Sequence, residues 1–188
     1  VRQLAAWSDN PALSDLRVAV NVSARTLLQA AFVDDLEEAL AAFGVSPSRL
    51  GLEVTETALV TDLKLAAAQL GRVRDLGVRV GLDDFGTGFT SIAQLRALPV
   101  DEVKIDSSFV RRLSDSGDRV LVQMIRDMAE LLGLRTIAEG VETTAHVEAL
   151  TAIGCDSLQG YYFCQPADAD SVAHWIDEHR RLGVARPA

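Results

Sequence analysis

The sequence predicts an α/β fold: a TIM-like (β/α)8 barrel, of which about six βα units lie in these 188 residues. Three observations predict it. Short β-branched runs alternate with longer stretches of helical period, the mark of a mainly parallel sheet. The runs are apolar nearly throughout, as expected of strands covered on both faces. Each run also ends on a polar or charged residue: Asn21, Glu53, Asp83, Lys104, Glu139 and Gln159. Successive members of that series are one βα unit apart, and in a (β/α)8 barrel such positions converge on the face that carries the chemistry. A doubly wound open sheet is the alternative, but no GxGxxG turn follows the first strand.

The elements follow in order. VRQLAAW (1–7) reads as the interior or end of a helix. The strand runs are LRVAVNVS (16–23), LGLEVTE (50–56), VRVGLDD (78–84), EVKID (102–106), LRTIAEG (134–140) and DSLQGYYF (156–163). Between them, FVDDLEEALAAFG places apolar residues at helical spacing and stops at Gly44. LKLAAAQLGRVRDLG stops at Gly77, VLVQMIRDMAELLG at Gly133 and AHVEALTAIG at Gly154. SIAQLRALP opens with a capping-box pattern, Ser91 with Gln94, and ends before Pro99. ADSVAHWIDEHRRLG is the last helix. A complete barrel has eight strands and about 250 residues. Because the chain opens in a helical pattern, the expectation is that residues 1–188 are the C-terminal three quarters of one domain, without its first two strands.

Composition narrows the function. The chain is 48% hydrophobic and 24% charged, ordinary for a globular domain. No apolar run reaches the roughly 18 residues of a membrane span, and no signal peptide is visible. A cytoplasmic protein is expected. The net charge of −9 argues against DNA binding by charge alone, so a phosphate ester bound here needs cations to attract it. Cys155 and Cys164 form no CxxC pair and no metal spacing with His146, His174 or His179, and are expected to be reduced.

The strand ends carry the chemistry. Asn21, Glu53, Asp83 and Asp84 offer only hard oxygen donors, which suit Mg²⁺, Mn²⁺ or Ca²⁺. Adjacent aspartates repel unless cations or a proton relieve them. Two ions held by such a pair, about 3.5–4 Å apart, suit in-line displacement at phosphorus. Lys104, the one strand-end cation, is expected to stay charged and to orient the attacking oxygen or steady a phosphoryl oxygen; the plainer reading is a salt bridge. Glu139 is expected to accept a hydrogen bond from the metal-bound water, and Gln159 to orient that water or touch substrate. Glu56 is expected to tie down the loop after Asp84 through backbone amides. Gly86, Thr87 and Gly88 give that loop its sharp turn and freedom to close. Asp106 is a loop or substrate residue. Glu142 either joins the site or favours the positive end of the next helix. The GK[ST] ending of a P-loop is absent.

Taken together, NVS (21–23), EVTE (53–56), DDFGTG (83–88), KID with the following FV (104–110), AEGVET (138–143) and QGY (159–161) resemble the EAL domain family in order and spacing. That family comprises bacterial phosphodiesterases that open cyclic di-GMP, and the resemblance covers essentially the whole chain. It implies Asn21, Glu53, Asp83 and Asp84 as ligands of two ions, Mg²⁺ or Mn²⁺, with Ca²⁺ inhibitory. It implies Lys104 and Glu139 as residues that position or activate water, Gln159 as a site residue, and Glu56 as the anchor of the loop from Phe85 to Thr90. Cyclic di-GMP is the implied substrate and linear pGpG the implied product. A homodimer and an upstream sensor or GGDEF domain are implied as well.

The departures are specific. The Glu-Ala-Leu strand end that names the family, and the arginine after it, are not in this chain. The strings at 38–40 and 148–150 fall in helical patterns and are read as coincidence. Phe89, Thr90 and Ser107 replace the commoner Tyr, Ser and Arg. Three functions compete: an active phosphodiesterase in the full-length protein, a cyclic di-GMP sensor without activity, and an interaction fragment. A six-stranded arc is expected to expose two sheet edges and an apolar interior, and so to associate or aggregate in isolation.

Overall fold

The structure is a computed structural model that describes residues 1–56, 62–88 and 91–181. Six parallel strands pair in sequence order: β1 (Val18–Asn21), β2 (Leu50–Thr55), β3 (Arg79–Phe85), β4 (Glu102–Ile105), β5 (Arg135–Ala138) and β6 (Ser157–Leu158). Every neighbour in the sheet is the next strand in the chain, as in a singly wound barrel wall and unlike a doubly wound sheet. The six units form part of a TIM-like barrel.

The helices form where periodicity and caps place them. They are α1 (Arg2–Ala6), α2 (Ala24–Leu27), α3 (Phe32–Ala42), α4 (Leu63–Asp75), α5 (Ile92–Ala97), α6 (Ser107–Val110), α7 (Ser116–Leu131), α8 (Thr144–Ile153) and α9 (Ala169–Arg181). The Asp62 side chain caps α4 by accepting from Leu65 N. Ser91 and Gln94 make both halves of the expected capping box at α5. Asp115 caps α7, which therefore starts a turn earlier than its apolar run. Gly154 ends α8 in the left-handed region, at φ 88°. The Glu-Ala-Leu strings at 38–40 and 148–150 do lie inside α3 and α8.

The core lies between the sheet and its helices. Leu52, Val54, Val80, Leu82 and Val103 point to that side and bury against Leu70 and Val73 of α4 and Leu95 of α5. Ile105 and Ala138 continue the layer against Val122 of α7 and Leu150 of α8.

Two expectations need correction. The strands are not apolar on both faces. The pairing register puts Asn21, Glu53, Gly81, Glu102 and Arg135 in one row on the face turned away from the helices. Lys104 stands two residues further along that face. The interior is therefore charged, not apolar, and the expected apolar liability reduces to the two sheet edges. The sixth strand is also shorter than the run 156–163. Gly160 packs against the Val141 backbone, where a Cβ would lie 2.2 Å from the carbonyl oxygen, and Tyr162 N turns back to donate to that same oxygen. Among the described residues no helix is long and apolar enough to cross a membrane, and both cysteines are unpaired.

Candidate metal centre at the strand ends

The Asp pair sits in a β-bulge. Leu82 pairs with Val103 and Phe85 with Ile105, so Asp83 and Asp84 together stand opposite Lys104 alone. Side chains one residue apart on a regular strand point to opposite faces. The extra residue cancels that alternation. Asp84 adopts φ 55°, the only non-glycine with positive φ among the described residues, and Asp is one of the few side chains that tolerates the left-handed region. Its amide donates to Asp83 Oδ1 at 3.1 Å. Both carboxylates thereby face one place. With Glu139 from the end of β5 they offer three oxygens that lie within 4.8 Å of one another.

Lys104 gathers the rest. Its ammonium contacts Glu139 Oε1 at 2.7 Å, Glu53 Oε2 at 2.8 Å and Asp83 Oδ1 at 3.0 Å. Its side chain is almost wholly buried, and burial alone would lower its pKa. The bonds to Glu139 and Glu53 more than reverse this, so Lys104 stays charged as expected. The salt-bridge reading is thus geometrically true. It does not compete with a site role, because the three partners are the candidate site carboxylates themselves. Burial pushes the Glu139 carboxyl up, with Lys104 opposing. Asp84 is pushed up by burial, then by the charges of Asp83 and Asp106. Asp106 is shifted the other way. Burial works to raise it, but hydrogen bonds from Ser108, Ser107 and Asp84 prevail and lower it. The two facing carboxyls are thus shifted in opposite directions.

The remaining candidates fall around this cluster. Asn21 lies beside Glu53 in the register. Gln159 follows β6, with its backbone bonded to Ala138 and Val141. Asp106 caps α6 by accepting from Ser108 N, and Ser107 opens that helix. Glu142 does not cap α8; Thr143 does, by accepting from His146 N. Glu142 instead faces Arg111 at 3.9 Å. Beyond Asp84, Thr87 folds back to donate to the Asp84 carbonyl through both its amide and its hydroxyl, and Gly86 makes the turn at φ 99°. Glu56, 3% exposed, accepts from Gly88 N at 2.8 Å. A Cβ on Gly88 would lie 2.6 Å from that carboxylate oxygen, so only glycine fits. Phe89 and Thr90 lie outside the described residues.

The donor set fits hard divalent cations. Every group at the cluster is an oxygen donor, and the carboxylates outnumber the single ammonium. Sequence reasoning assigned Glu139 to water alone; the geometry adds it to the oxygens that can hold a cation. The signal was present, since Glu139 is a strand-end carboxylate like Glu53 and Asp83.

Two measurements follow. Glu56→Ala is expected to speed hydrogen exchange at the Gly88 amide about 10- to 100-fold, the loss of one hydrogen bond to a charged acceptor; unchanged exchange removes Glu56 as the anchor. The second concerns pH. In metal-free protein the folded state holds the protons of Asp84 and Glu139 more tightly than the unfolded chain does. Stability from these two groups should rise as pH falls from neutral through their raised values. Asp106, shifted down, acts in the opposite sense at lower pH. Thermal unfolding of Asp84→Asn should show a weaker rise than the parent, and an identical profile contradicts the shift.

Comparison with known proteins agrees with the geometry. The family model for the EAL domain matches residues 1–166. A bifunctional diguanylate cyclase/cyclic di-GMP phosphodiesterase, MucR of Pseudomonas aeruginosa, is 40% identical over 172 residues, covering 91% of this chain and 25% of its own. The EAL domain of Mycobacterium smegmatis DcpA superposes with a TM-score of 0.89 at 32% identity, covering 94% of this chain and 80% of that one. Klebsiella pneumoniae BlrP1, solved as a manganese/cyclic di-GMP complex, gives 0.79 at 28% identity over 87% of this chain and 42% of its own. The chain spans less than a third of the length of the curated relatives it matches. With the family model matching most of the chain and the parallel barrel wall superposing on EAL structures, the chain belongs to the EAL domain family.

Proposed function

We propose that the full-length protein hydrolyses cyclic di-GMP to linear pGpG in bacterial second-messenger signalling, using two divalent cations, Mg²⁺ or Mn²⁺. The observation that carries this reading is the bulge that turns Asp83 and Asp84 toward one point beside Glu139. Asn21, Glu53, Asp83, Asp84 and Glu139 would hold the ions. The ions would supply charge neutralisation at phosphorus and a stronger nucleophile near neutral pH. The substrate carries two phosphodiester charges, and a face rich in carboxylates binds it only when cations intervene.

The chain's own residues do the rest. Lys104 fixes the orientation of Glu53, Asp83 and Glu139 and presents positive charge to a phosphoryl oxygen as negative charge grows there. Glu139 accepts a proton from the attacking water through the oxygen that Lys104 does not hold. Water attacks phosphorus, the bond to the ribose 3′ oxygen breaks, and that oxygen leaves as a hydroxyl. The new phosphate stays on the 5′ carbon, which gives the linear product. Glu56, through Gly88, holds the turn that follows the Asp pair close to the site. Asp106, which faces Asp84, and Gln159, which follows β6, would contact substrate.

The reading extends to the protein's setting: a homodimer whose full-length chain carries an upstream sensor or GGDEF domain; MucR, by its name, joins a diguanylate cyclase to a cyclic di-GMP phosphodiesterase. The test is incubation of the full-length protein with cyclic di-GMP, with and without Mn²⁺ or Mg²⁺, and chromatography of the products. Metal-dependent pGpG is expected. Binding without cleavage in either metal makes the protein a sensor instead.

A further inference from the structure

A second charged layer lies beneath the acidic cluster, and the chemistry above does not use it. The register carries one row across four strands: Glu53, Gly81, Glu102 and Arg135. Gly81 leaves a gap in that row. A Cβ there would lie 3.4 Å from Glu102 Cγ, 3.6 Å from Glu102 Oε1 and 3.6 Å from Glu53 Cγ. The two glutamates therefore lean over the glycine from opposite sides. Glu102 is 7% exposed, so it is a buried carboxylate close to the site. It is also two residues before Lys104 on the same face, about 7 Å along the strand, a separation that the glutamate and lysine side chains can bridge together.

Glu102 is thus a competitor for Lys104. An ammonium has three protons to donate, and three carboxylates already crowd that of Lys104: it hydrogen-bonds Glu53 and forms ion pairs with Asp83 and Glu139 within 3.0 Å. A fourth carboxylate gains Lys104 only by displacing one of them. What prevents this is on the next strand: Arg135 Nη2 pairs with Glu102 Oε2. Arg17 and Arg79 add positive charge to the same layer.

We propose that Arg135 is a positioning residue that, by holding Glu102, reserves Lys104 for the carboxylates of the metal centre. The proposal rests on the reading of the site as a metal-dependent phosphodiesterase. It makes an unusual demand. Losing Arg135 should do harm only while Glu102 remains charged.

The experiment is a double-mutant cycle in the full-length protein with Arg135→Gln, Glu102→Gln and both together. Mn²⁺ affinity is read by calorimetry, and kcat and KM by cyclic di-GMP cleavage. Arg135→Gln is expected to weaken Mn²⁺ binding and lower kcat about tenfold, the scale of lost support behind a ligand. The double variant is expected to recover most of both. If Arg135→Gln fails to fold, a double variant that folds and binds Mn²⁺ supports the proposal equally, since Glu102 is then the cause. A double variant as impaired as Arg135→Gln, or an Arg135→Gln protein equal to the parent, overturns it. An inert parent protein that binds no Mn²⁺ rejects the phosphodiesterase reading itself, a result separate from either of these.

Discussion

Asp83→Asn is expected to abolish cyclic di-GMP cleavage by the full-length protein, a loss of about 10³-fold or more in kcat/KM. The substitution keeps volume and shape, so the fold should survive it. What changes is one buried charge at the meeting point of three interactions. Asp83 Oδ1 forms an ion pair with Lys104 Nζ at 3.0 Å, accepts from the Asp84 amide at 3.1 Å and faces the place a cation would take. An asparagine that keeps its oxygen toward both donors turns an NH₂ group toward the cation side. One that flips presents the NH₂ to the Lys104 ammonium. Either rotamer costs the site a ligand or Lys104 a partner. Calorimetry should find Mn²⁺ binding weakened together with turnover. Near-normal turnover in Mg²⁺ would remove Asp83 from the metal centre.

Lys104→Met should give a different signature. Its kcat is expected to fall about 10²- to 10³-fold, the scale for losing one charge-stabilising donor. Without metal, stability should also fall, by about 3–5 kcal/mol, because three carboxylates lose their shared counter-charge inside the barrel. Added Mn²⁺ should restore much of the stability, since cations neutralise the same carboxylates, but not the rate. A purely structural lysine would show rate and stability recovering together. Thermal unfolding with and without Mn²⁺, beside turnover, separates the two cases.

The sequence was most legible where a signal is local. Strand order followed from alternation, and the capping box at Ser91 and Gln94 formed as its letters suggest. Of the strand-end series, Glu53, Asp83, Lys104 and Glu139 meet in one cluster, because a (β/α)8 wall brings those positions together whatever the helices do. The rest needed register. Nothing in VGLDDFG announces that two residues of β3 oppose one of β4, since two adjacent aspartates read equally well as a turn. The charged layer of Arg17, Arg79, Glu102 and Arg135 was missed for a related reason. Each of these residues alternates with an apolar neighbour, and the apolar half of LRVAV, VRVGL, EVKI and LRTIA dominates the pattern. Which half faces the helices is decided by packing. The last strand failed for a steric reason: the approach of Gly160 to Val141 is invisible until both backbones are placed.

The bulge has a consequence for how this strand tolerates changes in length. In a regular strand, the distance between two inward-facing groups is a matter of side-chain choice. Here it is set by a surplus residue in the backbone. Deleting Asp84 would therefore do more than remove a carboxylate. It would restore the simple in-and-out count of β3, with Asp83 alone opposite Lys104 and Phe85, 6% exposed, still opposite Ile105 on the helix side. A deletion and a substitution at the same position should thus leave different proteins behind, one with a regular strand that aims a single carboxylate inward and one that keeps the bulge.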